Sequence, residues 1–180
     1  MSEQRVSSRY ARALLGSASK EGLESTVLDD FKKIARIVDS SKDMLYLIKS
    51  PVVQFWKKKK IFQKIFEPQI NSLTMRFLLL LAEKHRESLI PSIAVQYENQ
   101  YNILKNILPV SISTTVELSE LMKSKITRKL EDYTQKNIAP KFGIDHSLKG
   151  GLMVRINDWV FDASIRNQLE ILFKKLTAEM

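Results

Sequence analysis

At Pro109 the hydrophobic period of this chain changes, and that change divides what the chain can fold into. Before it, apolar residues recur every three or four positions. After it, Val110, Ile112, Thr114 and Val116 alternate with Ser111, Ser113, Thr115 and Glu117. A repeat near 3.6 residues places side chains along one face of a helix, whereas a repeat of two places them on one face of a strand. A helical domain over residues 1–108 followed by a small α+β domain over 109–180 is therefore expected. Its 180 residues, 44% of them hydrophobic, can supply a core to each.

The helical half reads as six segments. Ser7 and Ser8 can cap a first helix in which Tyr10, Ala13 and Leu14 share one face and Ala11, Leu15 and Ala18 another, ending near Gly22. Its small residues allow a neighbour to approach closely. A second helix, Leu23 to Asp39, carries a core stripe of Val27, Phe31, Ile34 and Val38. A short third runs from Met44 to Lys49 and is stopped by Ser50-Pro51. A fourth, Phe55 to Phe66, turns Ile61, Phe62, Ile65 and Phe66 inward. Ser72 is expected to cap the fifth, and Ile90-Pro91 to open the sixth.

The fifth helix holds the most apolar run of the chain, Met75-Arg-Phe-Leu-Leu-Leu-Leu-Ala82. Met75, Phe77, Leu78, Leu81 and Ala82 form a broad core face. Leu79 and Leu80 fall between Arg76 and Glu83 on the opposite side, where a fully buried helix or a second, partner-facing surface would account for them. Phe77 to Ala82 is far shorter than the roughly 20 apolar residues that a bilayer requires.

Beyond Pro109, Ser119 caps a helix with Met122, Ile126, Leu130 and Tyr133 on one face. Ile138, Phe142 and Ile144 alternate, and Pro140 marks that strand as an edge. Gly150-Gly151 reads as a turn, Leu152 to Ile156 as a strand, Asn157-Asp158 as a hairpin turn and Trp159 to Phe161 as the returning strand. Ser164 is the expected N-cap of a last helix whose stripe is Ile165, Leu169, Leu172, Phe173 and Leu176.

Chemistry is sparse. Without cysteine there is no disulfide framework or thiolate metal site, and His85 and His146 are isolated; His85 is read as complementing a helix dipole. Five glycines offer no phosphate-cradling loop. Asp158 and Asp162 resemble a carboxylate pair, but turn and cap chemistry explains both. No cofactor or small-molecule substrate is expected. The N-terminus lacks the apolar segment of a secretory signal, which points to a cytoplasmic protein. The net charge of +9, most of it before Pro109, includes Lys57-Lys58-Lys59-Lys60 beside Phe55 and Trp56. Four consecutive helical residues point four ways, so the run is read as solvated surface; a basic nucleic-acid-binding module is the competing reading.

The segment from Gly150-Gly151 through Asp158, Asp162 and Ser164 to Leu169 and Leu172 resembles the C-terminal signature of the delta subunit of bacterial F-type ATP synthases, the oligomycin-sensitivity-conferring protein of mitochondria. Tyr10-Ala11-Arg12-Ala13-Leu14, Phe77 to Arg86 and Ile144-Asp145 to Leu148 extend the likeness over the whole chain. Asn157-Asp158, Arg76 and Lys84-His85 depart from the family's commoner residues. The resemblance implies a non-catalytic peripheral-stalk (stator) protein at the cytoplasmic face of the membrane. It implies that the N-terminal bundle receives an amphipathic helix from the alpha subunit between its first and fifth helices, at Tyr10, Ala13, Leu14, Arg76, Leu79, Leu80 and Glu83. It also implies that the C-terminal domain joins the C-terminal ends of the b subunits.

Overall fold

The computed structural model describes residues 3–50 and 53–178, which form two compact units divided between Tyr101 and Asn102. The first is built from α1 (Glu3–Glu21), α2 (Glu24–Ser40), α3 (Lys42–Lys49), α4 (Phe55–Phe66), α5 (Ser72–Glu83), a 3-10 turn (Glu87–Leu89) and most of α6 (Ile90–Leu104). Its core draws on every helix, with Ala11, Ala18, Val27, Ile34, Phe62, Leu78, Leu81, Ala82, Ile93 and Tyr97 at 1% exposure or less.

Several helix boundaries follow from side-chain chemistry. Gly22, at φ 69, ends α1 in the left-handed conformation that glycine adopts without steric cost. The Ser41 hydroxyl accepts from the N–H of Met44 and starts α3. The expected cap at Ser72 is displaced by one residue: Asn71 is the N-cap of α5, its Oδ1 accepting from Leu73 N–H at 2.9 Å. Ser7 and Ser8 do not cap α1, because the helix already begins at Glu3; Ser7 is buried a turn inside it. Pro51, expected to stop the third helix, lies outside the described residues.

The second unit holds β1 (Ile107–Thr114), α7 (Glu120–Thr134), β2 (Asn137–Ile144), a 3-10 turn (His146–Leu148), β3 (Leu152–Ile156), β4 (Trp159–Asp162) and α8 (Ile165–Ala178). The sheet order is β2-β1-β3-β4, with β1 and β2 parallel and the other pairs antiparallel. Strand β2 is an edge, which accommodates Pro140. Val110, Ile112, Ile138 and Val154 form the core on one sheet face, with Ile126 and Leu130 of α7 against them. Met122 and Tyr133, expected on the same helix face, are exposed instead, because α7 turns Lys123, Ile126, Thr127, Leu130, Glu131 and Thr134 toward the sheet, a face rotated away from both.

Candidate functional site

The seven residues assigned to a helix-binding groove fall on α1 and α5. Tyr10 is half-buried and meets Phe77 edge-on, ring centroids 6.3 Å apart. Arg76 Nη2 lies 4.0 Å from Glu21 Oε1, a second link between the two helices. Ala13 is exposed, while Leu14, at 3%, is a core residue and supports the surface from beneath. Near Ala13 on α1, a Cβ added to Gly16 would meet nothing within 4 Å.

On α5 the core face reads as expected: Met75, Phe77, Leu78, Leu81 and Ala82 are all buried. Leu80 is 42% exposed, and Leu79 is half-buried against the core. Arg76, Leu80 and Glu83 stand at i, i+4 and i+7, so they line one outward stripe with Leu79 on its shoulder.

In the second unit the signature residues build the entrance to α8. Gly151, at φ 79, lets the chain pass against residues 163–164. Ala163 N–H then donates to Leu152 O and Ile165 N–H to Gly150 O, both at 3.0 Å. Asp162 Oδ1 accepts from Ser164 N–H at 2.8 Å, and Ser164 Oγ, fully buried, accepts from Asn167 N–H at 3.1 Å. Asp158 lies in the β3–β4 turn, where Asn157 takes φ 50. The hydroxyl and backbone N–H of Ser164 hold the Asp162 carboxyl below its ordinary value. A depressed value stabilises the fold above the unfolded pKa and is lost as pH falls through the folded one. Acidification from about pH 4 to pH 2 should therefore loosen the start of α8, read as faster amide exchange at Ser164 and Asn167.

Two apolar surfaces of this unit remain open. Trp159 and Phe161 pair with Ile156 and Val154, hence share the core face of the sheet, yet are 82% and 67% exposed. The stripe of α8, Leu169, Leu172, Phe173 and Leu176, is more than half exposed along its length. Such contiguous apolar area marks an interaction surface.

The lysine run is not uniformly solvated. Lys57, Lys59 and Lys60 are exposed, with Lys57 and Lys60 ammoniums 5.2 and 5.7 Å from the Trp56 ring centroid. Lys58 is 1% exposed, because it sits three residues after Phe55 and four before Phe62, on the apolar face of α4. There its Nζ donates to Ser50 O at 2.7 Å and to Glu87 Oε1. Asp30 on α2, also 1% exposed, is a second buried charge that the helical spacing alone does not single out. A charged residue inside an apolar stripe is the one sequence signal that both share.

Among the described residues no three His, Cys, Asp or Glu side chains are grouped to hold a metal, and no helix is long and apolar enough to cross a membrane. What stands out is a set of open helix and sheet faces, the equipment of a scaffold that works by holding other proteins.

The profile of the ATP synthase delta (OSCP) subunit matches residues 6–176. ATP synthase subunit delta of Chlorobium phaeobacteroides is 34% identical over 99% of both chains. That of Salinibacter ruber is 34% identical over 98% of this chain and 93% of its own. In fold, a chain of the Toxoplasma gondii mitochondrial ATP synthase hexamer superposes with a TM-score of 0.69 at 19% identity, covering 95% of this chain and 97% of that one. The chain belongs to the family of the ATP synthase delta (OSCP) subunit. It is a non-catalytic stator component of the F-type ATP synthase, the many-membered assembly that couples proton transport to ATP synthesis.

Proposed function

We propose that this protein joins the catalytic head to the membrane-anchored stalk at the cytoplasmic face of a bacterial membrane, and so resists the torque of the rotor. Residues 1–108 receive an amphipathic helix from the N-terminus of the alpha subunit, and residues 109–180 receive the C-terminal ends of the b subunits. Helix-in-groove recognition sets apolar anchors at helical spacing into a preformed slot. Ala13 and Gly16 permit close approach on α1, Tyr10, Leu79 and Leu80 supply apolar contact, Arg76 and Glu83 frame the slot, and Leu14 backs it from the core.

The observation that carries this reading is Leu80. It is 42% exposed on a helix whose other leucines are buried or half-buried, and it stands between two charged residues of opposite sign. For the b subunits, the support is the uncovered stripe of α8 together with Trp159 and Phe161 of β4. A helix of α8's 14 residues is marginal in water by itself, and packing of its apolar face is what stabilises such a helix.

The test is calorimetric titration of the full chain with a synthetic peptide that copies the N-terminus of the alpha subunit from the same organism. Ala13→Asp should weaken binding by about 3 kcal/mol, since the bound helix would bury an unpaired carboxylate. Unchanged affinity in that variant overturns the groove. For the second unit, Leu172→Asp should abolish co-purification of the b subunits while leaving peptide binding intact.

A further inference from the structure

A buried carboxylate on α2 lies at the start of α5. Asp30 Oδ2 accepts from the backbone N–H of Asn71 at 2.8 Å and from the Thr74 hydroxyl at 2.7 Å. Thr74 is fully buried and Asp30 is 1% exposed. Oδ1 faces Lys33 Nζ at 3.4 Å, and that ammonium also donates to Gln69 O at 3.0 Å, in the corner that leads into α5. Asn71 and Thr74 belong to the N-cap and first turn of α5.

A charge on the core side of a helix is costly to bury unless it is fully hydrogen-bonded. The first turn of α5 already has its own cap in the Asn71 side chain, so capping alone does not require Asp30. What Asp30 adds is a link between helices. Its bonds to a backbone N–H and to a side chain one turn apart fix where α5 begins along α2 and how the helix is rotated about its axis. Its charge also complements the positive end of the α5 dipole. Arg76, Leu79, Leu80 and Glu83 then follow within three turns of the fixed point, at rotations that the latch has set.

We infer that Asp30 is a positioning residue for the helix-binding face of α5: by latching Asn71 and Thr74 it holds Arg76, Leu79, Leu80 and Glu83 in register with α1 for an incoming amphipathic helix. This rests on the alpha-subunit reading given above. Asp30 touches no partner itself and acts through the placement of α5.

The experiment is titration of the full chain with the same synthetic alpha peptide, at a temperature well below the melting point of every variant. Asp30→Asn keeps an acceptor oxygen facing Asn71 and Thr74, and its Kd should stay within about threefold of the parent. Asp30→Leu removes the latch and should raise Kd about tenfold or more, with faster amide exchange at Leu73 to Arg76. Should Asp30→Leu fail to fold, Thr74→Val removes one of the two bonds with little change of shape and should raise Kd about threefold. A lowered melting temperature with Kd unchanged in Asp30→Leu, or in Thr74→Val where Asp30→Leu does not fold, would make Asp30 a purely structural residue and overturn the inference. Leu80→Asp is the control for the groove itself: if that variant binds as tightly as the parent, the site lies elsewhere, a failure separate from that of the latch.

Discussion

Glu87→Ala should cost the helical unit about 3–5 kcal/mol, a large fraction of the roughly 5–15 kcal/mol that holds a typical domain folded. Lys58 and Glu87 form an ion pair whose side chains are 1% and 5% exposed, and the same ammonium closes the end of α3 through Ser50 O at 2.7 Å. Removing the carboxylate leaves a buried cation with a single carbonyl for company, and desolvation is then no longer offset by attraction. Lys58→Met should be comparably harmful, because Glu87 Oε2 already finds no hydrogen-bond partner among the described residues. The double variant Lys58→Met/Glu87→Leu removes both charges and should recover most of the loss. Urea unfolding of the three variants, followed by circular dichroism, measures the coupling. A loss below about 1 kcal/mol for Glu87→Ala would mean that the pair behaves like an exposed one.

Gly151→Ala should destabilise the second unit by about 3 kcal/mol or more. A Cβ at this position would lie 2.3 Å from Ala163 O, a backbone atom, and φ +79 is strained for any residue with a side chain. The chain cannot relieve the clash by moving residue 163 away, because Ala163 N–H holds the end of the β3–β4 ladder through Leu152 O and the Ser164 cap follows directly. Gly143, in β2, is the internal control. A Cβ there meets nothing within 4 Å, so Gly143→Ala should stay within about 0.5 kcal/mol of the parent. Hydrogen exchange across residues 107–162 reads both variants in the same chain. Equal protection in the two would show that the close approach at Gly151 carries no weight.

Much of this architecture is legible in the sequence because local signals agree with the global pattern. The strand alternation of Val110 and Ile112, the edge position signalled by Pro140 and the Ser164 cap each have one dominant local cause, and each is found where the residues place it; the strand itself begins at Ile107, two residues ahead of the change of period at Pro109. The core face of α5 is equally plain from spacing. Cap identity is less so: Asn71 and Ser72 are both good N-cap residues, and the choice between them is tied to Asp30, which is 41 positions away in sequence. Lys58 and Asp30 escape a reading by pattern because charged residues are ordinarily assigned to solvent, and their partners, Glu87 and Asn71, are brought to them only by the packing of helices. In the groove set, spacing puts Leu14 on the face of Tyr10 and Ala13. It also lies three residues after Ala11 and four before Ala18, and the structure turns it inward with those two. The stripe of α8 is visible as a pattern. What a periodicity cannot say is whether the covering surface belongs to the same chain.

The uncovered stripe of α8 constrains how such a protein is made. A helix with its greasy side bare is an invitation to any neighbour, including another molecule of the same kind, so copies in excess of their partners are the species most exposed to clumping. Synthesis matched to that of the other stalk components, and prompt capture by them, would then protect the cell as much as it builds the motor.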